Sequence, residues 1–233
     1  SGQAMTTGNQ NTFIGSLVAD DMTTGQYNTG LGYKALSLDT KGNRAVAVGY
    51  EALANQNFTS STDNINTAVG FHAGKELTTG AENTIMGGEA GDALTVGNGN
   101  VAVGVQALST DVNGSRSTAI GTTALKVQEA SGSTSNNYYN VGLGYGAGLA
   151  VTTGYYNTYI GSLAAQNNTT GTNNVIIGTS AETPAVDTAQ VIGIGASITT
   201  QAANNFTFGY GATDSNIAFG ATSITAPSDE RYK

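Results

Sequence analysis

The side chains with which a protein does chemistry are few in this chain and scattered. There is one histidine, His72, and no cysteine. A Cys–His nucleophile pair or a zinc site of histidine and thiolate ligands is therefore not expected. His72 follows Gly70 by two residues, at a variable outer position, and reads as an exposed histidine. The acid pairs Asp20-Asp21 and Glu89 with Asp92 fall near corners. They read as solvated charges, with an oxygen-held Ca²⁺ as the alternative. Glycoside cleavage needs two facing carboxylates across a groove, which acids at corners do not supply. No catalytic residue, metal ligand or cofactor is assigned.

Tyrosines are the more informative residues. Tyr138-Tyr139 and Tyr155-Tyr156 occupy equivalent places in successive segments, while Tyr33, Tyr50 and Phe71 form a second series. Aromatic side chains on adjacent strands stabilise a sheet by stacking, which is one reading. The other is an exposed platform for a sugar. On that reading the candidate receptor-binding residues are Tyr138, Tyr139, Tyr155 and Tyr156, with Phe58, Asn136 and Asn137 from two insertions.

These residues are positioned by a repeat. The stretch Asn157-Thr158-Tyr159-Ile160-Gly161 recurs as Asn11–Gly15, Asn28–Gly32, Asn66–Gly70, Asn83–Gly87, Asn100–Gly104, Asn140–Gly144 and Asn174–Gly178. Ala45–Gly49, Ser117–Gly121 and Val191–Gly195 lack the Asn, and Asn205–Gly209 and Asn216–Gly220 close the series. Most closing glycines are 17 residues apart. A fixed period of this length reads as a solenoid, one supersecondary unit per coil. Gly30-x-Gly32 and Gly142-x-Gly144 belong to this repeat and are not nucleotide loops.

The residue before each closing glycine is large and apolar, as in Ile14, Leu31, Val48, Met86 and Ile160, and two residues earlier lies Thr12, Thr29, Val46, Thr84 or Thr158. This period of two predicts a strand with these residues inward. The small residues between them, such as Gly30, Ala47, Ala68 and Ala102, would face outward and pack between subunits. Thr-Thr-Gly stretches such as Thr78-Thr79-Gly80 predict a second corner, where glycine supplies a positive φ. Each coil is then two short strands and two corners. Thirteen coils spaced about 4.8 Å apart give a rod on the order of 60 Å. The repeated Asn reads either as a side-chain ladder along the axis or as a corner residue.

Regular coils are expected over 1–198, with insertions at 55–65 and 128–139 that become outer loops. Residues 199–227 read as tapering coils with a core of Phe206, Phe208 and Phe219, and 228–233 as a separate ending.

Composition narrows the class. Charged residues are 10% of the chain, well below the usual share, and the net charge is −8. An acidic chain without a basic patch excludes nucleic-acid binding. No run is long and apolar enough for a membrane helix, and no signal peptide is visible. A narrow roll has little core, so association is expected to stabilise it.

The Asn/Ser-x-x-Ile-Gly strands over about residues 9–220 resemble the head repeats of trimeric autotransporter adhesins. The repeat gives an all-β fold, a β-solenoid of about 17-residue coils, longer than the unit usual in those heads; the resemblance implies that it is a left-handed β-roll packed as a parallel homotrimer. Ser228-Asp229-Glu230-Arg231-Tyr232-Lys233 resembles the start of the intramolecular chaperone that ends endosialidases and phage tail fibres. In that family the chaperone trimerises the fibre and cuts itself off, which would put the autocleavage junction at Ser228 and Asp229. The function implied is a structural and adhesive segment of a phage tail fibre on the virion, recognising a glycan or protein on the host surface. A bacterial trimeric surface adhesin is the alternative. A polysaccharide-cleaving tailspike and an ice-binding solenoid are the remaining ones; outward threonine columns would favour the last.

Overall fold

The structure, a computed structural model, describes residues 1–129 and 136–221. Among these it is all-β, with no helix. One 13-stranded sheet runs the length of the solenoid, from Thr12–Ile14 through strands such as Val46–Val48, Val101–Val103 and Thr158–Ile160 to Ser215–Ala218. Neighbouring strands pair in parallel and in matched register: Thr12 beside Thr29, Thr84 beside Val101, Val141 beside Thr158.

The closing glycines form a column that sets how closely the coils stack. Gly104 has φ 131°, a conformation L side chains rarely adopt. A Cβ there would also stand 2.6 Å from the Gly121 carbonyl of the next coil.

The strand phase is the reverse of the sequence expectation. The middle residues Ala47, Ala68, Ile85, Ala102, Ala119, Tyr159 and Ile176 are fully buried. The large residues before the glycines face out: Ile14 is 59% exposed, and Leu31, Met86 and Leu143 are 42–43% exposed. Thr12 is exposed as well, and Thr29, Val46 and Thr84 are half-buried on the same side. The cause is the thinness of the coil. Opposite the strand stand Ala35-Leu36, Ala52-Leu53, Ala107-Leu108 and Ala124-Leu125, all buried, and they leave room for little more than a methyl group. Where the strand carries a large side chain, the opposite wall gives way: a Cβ on Gly148 would lie 2.7 Å from the Tyr159 ring.

That opposite wall is not a second strand in the regular coils. It is a chain of turns, with Leu36, Leu53, Leu108 and Leu125 at positive φ. Its amides still bond from coil to coil, as Leu36 N–H does to Ala52 O at 3.2 Å and Leu108 N–H to Ala124 O at 3.2 Å. A left-handed residue in each coil breaks the extended geometry a strand requires. Among the described residues, side strands form at the insertions, where Gly42–Asn43 pairs with Thr62–Asp63 and Gly114–Ser115 with Asn136–Asn137, and a single bridge joins Glu182 to Thr199.

The repeated Asn is a buried ladder, the first of the two sequence readings. Asn83 Nδ2 donates to Gly97 O at 2.9 Å, and Asn83 Oδ1 accepts from the Asn100 N–H at 2.9 Å. Asn100 repeats the pattern with Gly114 O and the Ser117 N–H, and Asn157 with Gly171 O and the Asn174 N–H. One amide thus satisfies a carbonyl at one corner and an amide at the next, neither of which water can reach.

Past Gly195 the regular period ends. Asn205–Tyr210 still pairs in parallel with Ile192–Ala196, but Ser215–Ala218 runs back antiparallel. The stretch closing at Gly220 is therefore a return strand, not another coil. Phe206 and Phe208 are half-buried and tilted together at 5.2 Å, and Phe219 is 46% exposed, so none of the three forms a core.

Candidate interaction surfaces

Because the leucines of the opposite wall leave mostly small residues room on the inner side of the strand, large apolar side chains accumulate outside on one face of the sheet. Two columns run along it. One carries Thr12, Thr29, Val46 and their equivalents, the other Ile14, Leu31, Val48, Met86, Ile120, Leu143 and Ile194. A continuous apolar face of this kind marks an interaction site in soluble proteins. Towards the chain's C-terminal end it dips into an apolar cavity of about 500 Å³ lined by Ile192, Ile194, Phe206, Ile217 and Phe219.

The face has two flanks. The first is the residue just before each ladder position, filled by Ala45 and Ser117 where the Asn is missing, and held at positive φ: Tyr27 at 60°, Arg44 at 62°, Ile65 at 54°, Arg116 at 61° and Tyr139 at 52°. Left-handed geometry turns the chain sharply there and leaves these side chains exposed. Arg44 pairs with Asp63 at 3.3 Å and lies 5.8 Å over the Tyr27 ring. Arg116 Nη1 donates to the Tyr139 hydroxyl at 2.9 Å. The second flank is the residue just after each closing glycine. Tyr33, Tyr50 and Phe71 stack there, with ring centroids 5.2 and 5.5 Å apart.

The proposed receptor residues separate. Tyr139 and Tyr156 stack at 5.3 Å, and Tyr155 meets Tyr156 edge-on at 5.2 Å; all three are 40–52% exposed. Tyr138 does not belong with them. It is 7% exposed, its hydroxyl donates to Glu129 O at 3.1 Å, and burial raises its pKa. Phe58 is also buried, at 7%. Both side chains anchor an insertion to the coil instead of presenting it. Asn137 is exposed, and Asn136 lies in the side strand with Asn137. Ser228 and Asp229 lie outside the described residues.

The charged residues sit at the other end of the post-glycine turn. Glu51 accepts from Lys75 at 3.0 Å and lies 3.3 Å from His72 Nε2. The Lys75 ammonium lowers the Glu51 pKa, and Glu51 raises that of Lys75. With Asp20, Asp21 and Lys34, Glu51 and Lys75 line a shallow cavity of about 280 Å³. Glu89 accepts from Gln106 at 2.8 Å, and burial, followed by the Glu89 charge, raises the Asp92 carboxyl. Among the described residues no three His, Asp or Glu side chains gather to hold a metal ion.

Sequence reasoning passed over two sets of residues. One is the flank before the ladder Asn, legible as a column of Tyr, Arg and Ile once the repeats are read vertically. The other is inside the second corner, where the inward column Met22, Leu77, Leu94 and Val151 is interrupted by Asp39 and Gln56, and again by Asp111 and Gln128. Gln56 Nε2 donates to Asp39 at 2.6 Å, and Asp39 also accepts from the Gly42 and Phe58 amides at 3.0 and 3.1 Å. Gln56 Oε1 accepts from Asn66 Nδ2 at 2.9 Å, so the pair is tied to the ladder.

The chain matches no family model, no curated protein and no solved structure.

Proposed function

We propose that the chain is a structural and adhesive fibre segment, the distal part of a phage tail fibre that recognises a host surface, and that it works as a parallel homotrimer packed through the outer sheet face. The observation that carries this reading is the exposed apolar face itself. The rod keeps Ile14, Leu31, Met86, Ile120 and Leu143 in the open along one side. Covering such side chains stabilises by roughly 25 cal/mol per Å² removed from water. A second copy presents the same columns at the same spacing. The resemblance of Ser228–Lys233 to the opening of a trimerising chaperone supports a tail fibre over a bacterial surface adhesin.

Light scattering tests the assembly. A mass about three times 23.5 kDa upholds it, and a monomer overturns it. Met86→Glu with Ile120→Glu should convert the trimer to a monomer with unchanged β circular dichroism. The receptor contact we infer is at the second insertion, through Tyr155 and Asn137. Loss of glycan-array binding by Tyr155→Ala with Asn137→Ala, in a protein that remains trimeric, is the expected result; undiminished binding removes these residues from the contact.

The outward threonines Thr12, Thr29, Thr67, Thr84, Thr118 and Thr158 favour a second reading, an ice-binding face. Val46, Val101, Val141 and Val175 interrupt that column, and Leu31, Met86 and Leu143 beside it differ in length, so the face is uneven. Thermal hysteresis from a monomeric protein would decide for ice.

A further inference from the structure

We infer that the copies interlock through a heterologous seam in which the flank before the ladder Asn of one copy packs, coil for coil, against the flank after the closing glycine of the next. This rests on the assembly proposed above and adds which residues meet. In a parallel ring of copies, rotation about an axis along the rod carries no translation. Each coil therefore faces its own equivalent, and one flank meets the opposite flank at the same level.

The residues on the two flanks match at four levels of the rod. At the strand Val46–Val48, Arg44 stands on one flank and Tyr50 on the other. Across a seam this is a cation over a ring, an attraction that strengthens as the pair loses water. One coil on, at Thr67–Val69, the pair is Ile65 and Phe71, 52% and 50% exposed. At Val141–Leu143 it is Tyr139 and Tyr145, 40% and 57% exposed. Between them, at Thr84–Met86, both flanks change character together, to Glu82 and Gly88. At the levels of Arg44, Ile65 and Tyr139, and at Tyr27 with Tyr33, large exposed side chains stand opposite one another; Arg116 with Thr122 and Tyr156 with Ser162 pair a large residue with a small one, so the seam is held at those four levels. Ile65 adds a second argument. A β-branched residue at φ 54° is strained. Its exposed apolar side chain makes a contact worth that strain only if something covers it.

The seam draws Tyr139 inward and leaves Tyr155 and Asn137 for the receptor.

The cysteine-free chain permits a direct test. Arg44→Cys and Tyr50→Cys are made singly and together, and treated with a bis-maleimide of two-carbon spacer. A mixture of the two single variants, refolded together, should give a covalent dimer. The double variant should give a covalent trimer on a denaturing gel. Tyr139→Cys with Tyr145→Cys repeats the test at a distant coil. Cross-linking within either single variant alone, or a trimer by light scattering that does not cross-link at either coil, overturns the seam while sparing the assembly. A monomer by light scattering overturns the assembly itself.

Discussion

Gln56 Nε2 lies 2.6 Å from an Asp39 carboxylate oxygen inside the coil, and Gln128 Nε2 lies 2.6 Å from Asp111 in the same way. Each pair spans one coil. Each sits where the Asn ladder lapses, at Ala45 and at Ser117, and each precedes an insertion. An inserted loop displaces the corner carbonyl that a ladder Asn would meet. Asp39 instead takes the Gly42 and Phe58 amides at the base of the loop, and Gln128 takes Asn140 Nδ2 at 2.8 Å. The pair replaces a missing rung.

Gln56→Leu should destabilise the protein by about 1.5–3 kcal/mol, because it removes one hydrogen bond from the buried Asp39 carboxylate, which keeps the Gly42 and Phe58 amides. Asp39→Leu combined with Gln56→Leu should recover part of that loss, since Leu77 and Leu94 fill the same column elsewhere. Urea unfolding of the two single variants and the double variant measures the coupling. Additive losses would show that the pair does not act as a unit.

Burial holds the Asp39 carboxyl above its ordinary range, although Gln56 and the backbone amides pull it down, and burial raises Asp92 and Glu182 as well. A raised carboxyl binds its proton more tightly folded than unfolded. Its contribution is complete below the ordinary carboxylate range and is lost as pH rises through the raised value. Glu51, lowered by Lys75, runs the other way: its contribution is present above the ordinary value and is lost as pH falls through the lowered one. As a single near-surface pair it carries little weight. The thermal midpoint should therefore rise as pH is lowered from about 7 towards the ordinary carboxylate value of about 4, and rise less in the Asp39→Leu/Gln56→Leu variant. A midpoint that falls over this range contradicts the assignment.

Asn100→Ala should cost about 2–4 kcal/mol, because it strands the Gly114 carbonyl and the Ser117 amide, both buried. Asn98→Ala is the control: its exposed side chain donates to the Val96 carbonyl and accepts from the Ala81 amide at 2.8 Å, groups that water can serve in its place, so the change should cost about 1 kcal/mol or less. Equal losses in the two variants would deny the ladder its role.

Gly104→Ala should prevent folding of the central coils or cost more than about 3 kcal/mol, since it combines a φ of 131° with a collision against the next coil. Circular dichroism and hydrogen exchange would show whether protection is lost around Gly87, Gly104 and Gly121. A native exchange pattern at unchanged stability would mean that the coil spacing relaxes.

The period, the ladder Asn and the closing glycine were all legible in the sequence, because each is tied to a fixed place in the coil by hydrogen bonding or by φ. The phase of the strand was not. Alternation shows that Thr84 and Met86 share one side and Ile85 the other, but not which side is in. Choosing the side by size of side chain picks the wrong one when the interior is narrower than the residues. The second strand failed for a related reason. Leu36 and Leu53 look like ordinary strand residues, and nothing in their chemistry announces a positive φ. Among the proposed receptor residues, Tyr138 and Tyr139 are adjacent and identical, yet one is buried and one exposed, because Tyr139 takes the left-handed position and Tyr138 the extended one beside Ser115, to whose carbonyl its amide donates at 3.1 Å.

The small side strands at the two insertions have a mechanical meaning. Tension along a solenoid loads its coil-to-coil junctions in series, and a series parts at its weakest member. The two junctions that lose an Asn rung are the natural candidates to part first. They are also where Gly42–Asn43 gains Thr62–Asp63 and Gly114–Ser115 gains Asn136–Asn137, each beside a buried Asp–Gln clasp. The interruptions in the sequence are thus splinted joints, and a pulled rod has no reason to break there before it breaks elsewhere.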